Sequence, residues 1–513
     1  MNAPSPPPPS CPETLAEADV VIAGCGFAGA MAAIAAHDAG AVAVILEKMP
    51  TIGGISVCSA GGVRYSPDAE AAFAYLSATN AGTTPAPVLR ALAAAMPGLP
   101  ALVRELAAVN GAVVTAREAP ANYPFPGHDR FGFVYVESVP GFDPAQAFPT
   151  VRGAAAGARL FKVVADNLAA RGIRVLTGCA ARRLVMAEGE AAGLLTDRGL
   201  VKARRGVVLA TGGFEAAADL QRQFWPSGPL LSAAVRGNTG DGLRMAQSAG
   251  AQLWHMWHLH GSYGFRHPDP AYPFGIRVKR LPDWTPGRPF REDVRMAWIL
   301  LDRQGRRFMN EYDPYLQDTG HRPFEALDPA TQSRPRLPAL LLVDEDGRRL
   351  YPLGAPTWHD GEVAQRHAFT WSRDNLAEVE AGLLFRADTL EGIAQRFGRD
   401  AATLKAAVAD WNRACAAGAD AAFGRPAASM VPIAKPPFIA AEVWPVVSNT
   451  QGGPAHDERQ RVLDAHGAPI PRLYEAGEIG SVFGHLYMSG GNIAECFVGG
   501  PIAGREAAGL PDR

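Results

Sequence analysis

The stretch Val20–Glu47, VVIAGCGFAGAMAAIAAHDAGAVAVILE, decides the fold of this 513-residue chain. Its first four residues form an apolar run that predicts a buried strand, and the alanine-rich segment 30–39 has a high helix propensity. Gly40 is placed to end that helix, and the apolar residues 42–46 predict a second strand. The pattern therefore predicts a strand–helix–strand unit of the Rossmann type and an α/β fold.

The turn between the first strand and the helix has the spacing G-x-G-x-x-G, carried by Gly24, Gly26 and Gly29. The first glycine permits a tight turn, the second lets the backbone approach a pyrophosphate, and the third lets helix and strand pack closely. The helix N-terminus offers free N–H groups to phosphates. Glu47, at the end of the second strand, can accept hydrogen bonds from a ribose. We therefore predict a bound dinucleotide, in preference to a Rossmann unit without a ligand.

The composition is that of an ordinary globular protein and excludes strongly basic binding classes. The chain is 48% hydrophobic and 19% charged, and its net charge of -2 implies neither a nucleic acid nor a membrane-surface partner. We expect no transmembrane span. Residues 1–17 are proline-rich and lack the features of a signal peptide, so we expect a disordered tail and a cytoplasmic protein. None of the six cysteines forms C-x-x-C, which favours reduced thiols.

Further glycine clusters follow the second strand. Gly53-Gly54 precedes Ser56, and Gly61-Gly62 comes soon after. Backbone of this kind can lie flat against a cofactor larger than NAD, and the Ser56 hydroxyl is available to a phosphate. A buried strand then ends in Ala210-Thr211-Gly212-Gly213, which offers a second contact to the dinucleotide. These clusters favour FAD over NAD.

Changes in composition divide the chain. Segment 118–149 is crowded with prolines, glycines and aromatic residues, which predicts a pocket-lining excursion from the sheet. The βαβ periodicity is lost over 254–430, where we predict an inserted α+β domain that caps the substrate. The FAD-binding domain, 18–253 and 431–513, is therefore expected to be discontinuous, with a last helix from 493 to about 507.

With these motifs in place, the chain resembles the flavoprotein family of fumarate reductase, succinate dehydrogenase and 3-ketosteroid dehydrogenase. The motifs that carry the resemblance are Gly24 to Gly29 with Glu47, Gly53-Gly54, 210–213, 239–242, 306–311, 452–453, 476–478 and 490–492. The resemblance implies FAD and chemistry at a carbon–carbon bond beside an electron-withdrawing group. Asp241 is also expected to cap the helix 243–249. The residues predicted to bind FAD are Gly24, Gly26, Phe27, Ala28, Gly29, Glu47, Lys48, Gly53, Gly54, Ser56, Ala60, Gly61, Gly62, Ala180, Ala210, Thr211, Gly212, Gly213, Asn238, Gly240, Asp241, Gly477, Glu478, Gly491, Asn492 and Ile493.

The chain departs from the respiratory branch of this family at positions that matter for chemistry. Where the respiratory enzymes attach FAD to a histidine, this chain has Ile55, which implies non-covalent FAD. Fumarate reductases have a His-Thr pair before a glycine pair, where this chain has Asn449-Thr450, and the arginine that binds a substrate carboxylate in those enzymes is replaced by Met488. The acid-transferring arginine is replaced within 312–315, although Arg322 could substitute for it. Fumarate chemistry is therefore disfavoured.

The ketosteroid branch matches better. Tyr123 resembles a tyrosine ahead of a Pro-Gly, Tyr315 resembles the catalytic tyrosine, and Tyr487 with Gly491 resembles the pair that holds the ketone oxygen. By this resemblance, the Tyr487 hydroxyl and the Gly491 N–H polarise the carbonyl and Tyr315 moves the α-proton with help from Tyr123. The β-hydrogen passes as hydride to flavin N5. The substrate is expected to be a cyclic or steroid-like ketone or enone, with an unidentified external electron partner.

Two alternatives stay open. One is a reductase of a small unsaturated carboxylic acid, as in the fumarate branch, and the other is a flavin-binding or electron-carrying protein without catalysis. The segment WHMWHLHG contains His255, His258 and His260, but their mixed spacing and the interleaved tryptophans favour an aromatic pocket wall over a metal site. We predict no metal.

Overall fold

The computed structural model describes residues 13–153, 155–279, 281, 295–312, 316–367 and 369–511. Most of the predicted N-terminal tail lies outside these residues. The predicted boundary at residue 17 is wrong, because the first strand begins at Thr14 and pairs with a neighbouring strand from that residue onward.

The structure alternates strands and helices at both ends of the chain. The strands are β1 (Thr14–Ala23), β2 (Ala43–Leu46), β3 (Val63–Tyr65), β4 (Val113–Glu118), β5 (Gly132–Ser138), β6 (Arg174–Leu176), β7 (Ala181–Ala187), β8 (Glu190–Thr196), β9 (Gly199–Leu209), β10 (Leu231–Ser232), β11 (Leu253–Trp254), β12 (Leu259–Arg266), β13 (Gly275–Val278), β14 (Ile299–Leu301), β15 (Ala339–Val343), β16 (Gly354–Ala355), β17 (Phe385–Ala387), β18 (Phe438–Thr450), β19 (Gly453–Pro454), β20 (Arg461–Leu463) and β21 (Pro469–Glu475). The α-helices are α1 (Phe27–Asp38), α2 (Ala69–Asn80), α3 (Ala86–Ala95), α4 (Leu99–Ala107), α5 (Pro144–Ala147), α6 (Ala156–Ala170), α7 (Ala218–Phe224), α8 (Asp241–Ser248), α9 (Leu316–Thr319), α10 (Glu345–Leu350), α11 (Gly361–His367), α12 (Leu376–Glu380), α13 (Leu390–Phe397), α14 (Ala401–Ala417) and α15 (Gly491–Ala508).

The first sheet has the strand order β20-β21-β9-β1-β2-β6, with the hairpin β7–β8 beside β9. From β21 to β6 the neighbouring strands are parallel. Parallel strands are covered on both faces, which is why residues 20–23 of β1 and the whole of β2 are buried apolar runs. This sheet confirms the predicted Rossmann-like α/β unit.

The alanine-rich helix α1 is buried along most of its length because α15 lies against it. Two glycines of α15 permit this approach. A Cβ at Gly500 would lie 2.7 Å from the Ala28 carbonyl oxygen, and a Cβ at Gly504 would lie 2.1 Å from that of Ala32. A helix covered on several sides has little need of a polar face, which explains the apolar sequence of α1. The C-terminal segment thus completes the first domain.

A second sheet forms the cap, with the order β14-β15-β18-β12-β13-β16 and with β10 and β17 paired to β18. Its long strand β18 follows residue 430 and its short strand β10 precedes residue 254, so the cap sheet extends beyond the predicted range on both sides. β18 ends at Thr450, whose N–H donates to the Glu478 carboxylate of the first domain at 2.9 Å. The cap sheet therefore leads directly into the FAD-binding unit.

The stretch Ala86–Ala107 contains α3 and α4 and has a mean hydropathy of 1.5. By length and composition alone it could cross a membrane, whereas the sequence led us to expect no transmembrane span. Its large apolar side chains, however, are buried in the protein core, among them Leu92, Val103 and Leu106. A core helix passes the same test of length and composition, so this stretch is weak evidence for a membrane span.

Candidate active site

A cavity of about 820 Å³ lies where β1, β2 and β9 end. This is the edge at which open parallel sheets bind ligands, and the volume is in the range of small-molecule sites. The glycine turn and the ends of β2 and β9 line the cavity. Segments 147–150 and 359–362 line it as well. The first of these belongs to the predicted pocket-lining excursion.

The cavity brings together about half of the residues predicted to bind FAD. Those that line it are Gly24, Gly26, Phe27, Ala28, Glu47, Lys48, Gly54, Ser56, Ala210, Thr211, Gly212, Asn238, Asp241 and Glu478. The predicted residues outside this lining are Gly29, Gly53, Ala60, Gly61, Gly62, Ala180, Gly213, Gly240, Gly477, Gly491, Asn492 and Ile493. Lining residues that the sequence analysis missed include Phe148, Arg236, His359 and Asp360.

The glycine turn leaves no room for side chains. Gly24 has φ +99°, and a Cβ there would lie 2.3 Å from the Ala210 carbonyl oxygen. A Cβ at Gly29 would lie 1.9 Å from the Gly24 carbonyl oxygen. The Phe27 N–H donates to the Ser56 hydroxyl oxygen at 3.0 Å, so Ser56 holds the turn and its own proton is the one that could reach a phosphate. A backbone-lined turn beside a helix N-terminus fits a dinucleotide such as FAD.

Glu47 is buried beside the glycine turn, directly after the end of β2. Its carboxylate accepts the Cys25 N–H at 3.0 Å and the Met49 N–H at 2.8 Å. Burial raises the pKa of Glu47, and these two hydrogen bonds oppose the rise. Because an ionised carboxylate accepts about four hydrogen bonds, two positions are left for a ribose.

The predicted helix cap at Asp241 is wrong. The residue before α8 is Gly240, with φ +72°, and no side chain caps the helix. The Asp241 carboxylate instead accepts a hydrogen bond from Lys48 Nζ at 2.6 Å. Lys48 also donates to the Thr239 hydroxyl at 2.6 Å. This ion pair ties the end of β2 to α8 at the cavity wall.

Four glutamates are buried under the carboxyl ends of the sheet. They are Glu215, Glu475, Glu478 and Glu495. Burial raises the pKa of Glu478 to about 8 and that of Glu495 to about 7. A Cβ at Gly213 would lie 2.6 Å from Glu478 Oε1 and 2.9 Å from Glu215 Oε2, so both carboxyl groups approach the same point. Two carboxyl groups this close cannot both ionise readily, which favours one shared proton.

Tyr487 lies beside the N-terminus of α15. It is buried, and its hydroxyl accepts the Asn492 N–H at 3.4 Å. The Gly491 N–H, predicted to bind a substrate carbonyl with Tyr487, instead donates to the Met488 carbonyl at 2.8 Å. The tight turn before the helix accounts for this difference. A Cβ at Gly491 would lie 2.3 Å from the Phe483 ring, so the glycine is needed for packing.

The Tyr123 phenol stays protonated in this geometry. Its hydroxyl donates to Asp318 Oδ2 at 2.6 Å. Burial and the neighbouring negative charge of Asp318 raise the pKa of Tyr123 well above its usual value. Tyr123 is therefore a neutral hydrogen-bond donor. The other predicted tyrosine of the cap, Tyr315, lies outside the described residues.

Asp318, a fully buried residue of the short helix α9, is a site residue that was not predicted from the sequence. Its Oδ1 lies 3.2 Å from His258 Nε2, and its Oδ2 accepts the Tyr487 N–H at 2.9 Å. Burial alone would raise the pKa of Asp318, but hydrogen bonds from His258 and His260 hold it well below its usual value. A single aspartate has no sequence signal, because its partners come from three separate segments, those of Tyr123, His258 and Tyr487.

The histidines predicted to form an aromatic pocket wall instead hydrogen-bond the segment 481–487. His255 Nδ1 lies 2.8 Å from the Ser481 carbonyl oxygen, and His258 Nδ1 lies 2.6 Å from that of Phe483. Among the residues that the structure describes, no group of three or more histidines, cysteines or carboxylates could hold a metal ion.

Uncharged residues occupy the positions where fumarate reductases carry cations. Met488 is buried, and the Asn449 amide donates to Asn492 Oδ1 at 2.6 Å. Arg322, the possible substitute, donates to the His485 carbonyl at 2.6 Å and lies 3.9 Å from Asp318. The charge of Arg322 is therefore largely balanced inside the protein.

A family model described as FAD binding domain matches residues 19–493. The chain belongs to this family. It is 29% identical to a digoxin reductase of Eggerthella lenta over 96% of this chain and 87% of that protein. It is 28% identical to a fumarate reductase (cytochrome) of Shewanella frigidimarina over 96% and 77%.

Among solved structures, the 3-ketosteroid delta1-dehydrogenase of Sterolibacterium denitrificans in complex with 1,4-androstadiene-3,17-dione superposes with a TM-score of 0.78. The match has 23% identity and covers 96% of this chain and 99% of that chain. The predicted family, the capped FAD-binding fold and the cofactor FAD are confirmed. This FAD binding domain protein is an FAD-dependent oxidoreductase that acts on CH–CH groups.

Proposed function

We propose that this protein adds or removes hydrogen across a carbon–carbon bond α,β to the carbonyl of a cyclic or steroid-like ketone. The observation that carries the proposal is that uncharged residues, Met488 and Asn449, stand where fumarate reductases carry an arginine and a histidine. The nearby guanidinium of Arg322 already lies 3.9 Å from Asp318. A dicarboxylate needs opposing cations when it leaves water, whereas a ketone needs hydrogen-bond donors. The site offers hydrogen-bond donors for a ketone, but it offers few cations for a dicarboxylate.

Tyr487 is the proposed donor to the carbonyl oxygen. Its hydroxyl lies at the N-terminus of α15, 3.4 Å from the Asn492 N–H, where the partial positive charge of the helix favours negative charge on oxygen. Charge develops on that oxygen when the α-proton leaves or arrives. One donor aimed at such an oxygen contributes about 3 kcal/mol to the transition state. Bound FAD supplies the group that takes up or gives the hydride.

We assign the transfer of the α-proton to Tyr315, because of the resemblance to the ketosteroid branch. Tyr123 supports the site as a neutral group, since its proton is directed at Asp318. The anion of Tyr315 therefore needs a source of stabilisation other than Tyr123. We propose that FAD is held without a covalent bond, because Ile55 lines the cavity at the position of the family's flavin-linked histidine.

The test is anaerobic reduction of the bound flavin by a panel of saturated cyclic ketones and 3-ketosteroids, followed by reoxidation with the matching enones and with fumarate. We expect ketones to bleach the flavin and enones to restore it. Tyr487→Phe should slow both steps, whereas Tyr474→Phe, a control in β21, should slow neither. The proposal would be overturned if none of the ketones bleached the flavin and fumarate reoxidised the reduced flavin. Acid precipitation should release the yellow chromophore into the supernatant.

The second candidate is a reductase of a small unsaturated carboxylic acid. The similarity to a fumarate reductase and the guanidinium of Arg322 favour it. Under this reading, Arg322→Gln should abolish reoxidation by fumarate. A protein that reacts with neither substrate class, and whose flavin potential is unchanged by Tyr487→Phe, would instead match a non-catalytic electron carrier.

A further inference from the structure

We propose that Asp318 is the positioning residue of the active site, which holds Tyr487 in place through its backbone and through the neighbouring ring of His260. This inference rests on the proposed function of Tyr487. It adds a residue that the family motifs do not contain and gives the helix α9 a role in the chemistry.

The carboxylate holds Tyr487 directly. Asp318 Oδ2 accepts the Tyr487 N–H at 2.9 Å and the Tyr123 hydroxyl at 2.6 Å, so one oxygen joins the C-terminal segment to the pocket-lining segment. The carboxylate is fully buried, and water does not compete for these bonds. A charged acceptor makes stronger hydrogen bonds than a neutral one.

The same carboxylate also faces the neighbour of the Tyr487 ring. His260 Nδ1 lies 3.9 Å from Asp318 Oδ1, and the His260 ring is tilted by 48° against Tyr487 with a centroid distance of 4.2 Å. Phe483 packs on Tyr487 edge-on at 5.3 Å. The phenol is therefore held by its backbone and by two rings, one of which faces Asp318. This restricts where its hydroxyl can point.

Several charged or titratable groups face Asp318 from the surrounding elements. They are Tyr123, His258, His260, His321, Arg322 and His485. The negative charge of Asp318 raises the pKa of Tyr123, and it opposes the decrease that burial causes in the pKa values of His321 and His485. Its removal should therefore lower these three pKa values and shift the pH dependence of the reaction downward.

The main variant is Asp318→Asn, which keeps the size but loses the charge and one acceptor oxygen. We expect kcat for flavin reduction by a responsive ketone to fall about tenfold or more, with KM changed less than about threefold, because positioning acts on the transition state. The pH of half-maximal rate should move down by about one unit. The matched control is Asp344→Asn, a buried aspartate that accepts three backbone N–H groups in the cap and should leave kcat, KM and the pH profile unchanged.

A second variant guards against misfolding of the first. Tyr123→Phe removes only the hydroxyl that donates to Asp318 and should lower kcat in the same direction by about threefold. A merely structural role for Asp318 would lower flavin content and thermal stability but leave kcat and the pH profile of the loaded fraction unchanged. Such a result in both variants would overturn the inference.

A measurement without turnover separates this inference from the proposed function. In protein labelled with ¹⁵N-histidine, Asp318→Asn should shift the ring signals assigned by His258→Gln and His260→Gln, because the facing charge is gone. If no ketone reacts with the wild type but these signals shift, the proposed function fails and the placement of Asp318 stands. If the signals do not shift in folded Asp318→Asn protein, the inference fails whatever the substrate is.

Discussion

The two ends of the candidate site are built in different ways. At the cofactor end, glycines of one short stretch let backbone atoms approach each other, as at Gly24 and Gly29. At the cap end, single side chains from distant segments meet around a buried carboxylate, as Tyr123, His258 and Tyr487 do at Asp318. The first end depends on conformation and the second on charge and hydrogen bonding. The difference explains why one end is recognisable from sequence and the other is not.

The largest effect is expected at the cofactor end, from Gly24→Ala. The new Cβ would lie 2.3 Å from the Ala210 carbonyl oxygen in a backbone with φ +99°, so strain and overlap add. We expect a loss of several kcal/mol in the free energy of unfolding and near-complete loss of flavin from the purified protein. Flavin content by absorbance and thermal unfolding by circular dichroism measure both.

Gly40→Ala is the matched control for this prediction. Gly40 also has a positive φ, +86°, but a Cβ there meets nothing within 4 Å. Only backbone strain of about 1–2 kcal/mol remains, and flavin content should be normal. Equal losses in the two variants would mean that conformation alone, and not the close approach to Ala210, decides the cofactor end.

The extent of correct sequence-based prediction follows the same division. The strand–helix–strand unit could be predicted from the sequence, because local spacing and propensity determine a glycine turn. Of the residues predicted to bind the cofactor, 14 line the cavity. The role of Gly491 and the cap at Asp241 were predicted wrongly. The Met488 carbonyl takes the Gly491 N–H, and Lys48 takes the Asp241 carboxylate, through contacts that form only in the folded structure. Asp318 gave no signal at all.

At the cap end, Tyr487→Phe is the sharpest probe of side-chain chemistry. The ring packing on His260 and Phe483 is kept, and only the hydroxyl is lost. We expect the rate of flavin reduction by a responsive ketone to fall about 100- to 1,000-fold with unchanged flavin content. Rapid-mixing absorbance measures the rate. A decrease of less than about threefold would assign the carbonyl to another donor and remove the basis for the comparison at this end.

The buried carboxyl group of Glu478 predicts a pH dependence of stability. In the unfolded chain its pKa is 4.5, and in the folded protein burial raises it to about 8. The folded state thus retains a proton that the unfolded state loses. This stabilisation is complete below about pH 4.5 and is lost as the pH rises to about 8, with a slope of up to about 1.4 kcal/mol per pH unit.

Glu478→Gln should therefore flatten the decrease of the thermal midpoint between pH 6 and about pH 8. Glu215, Glu475 and Glu495 retain a slope of the same sign, because burial raises the pKa of each of them. Glu118→Gln, at an exposed position of β4, should leave the wild-type slope intact. Parallel curves for wild type and Glu478→Gln would indicate that Glu478 is ionised in the folded protein.

The smallest effect is expected where a charged side chain contributes at the cofactor end. Lys48→Met removes the ion pair with Asp241, whose partners are 25% and 28% exposed. An ion pair of this exposure is worth about 1 kcal/mol, so flavin should bind about fivefold more weakly by titration of the apoprotein. Lys162→Met, which breaks a similarly exposed pair with Asp166 in α6, should leave flavin affinity unchanged. A loss as large as that of Gly24→Ala would mean that charge is as important as backbone geometry at the cofactor end.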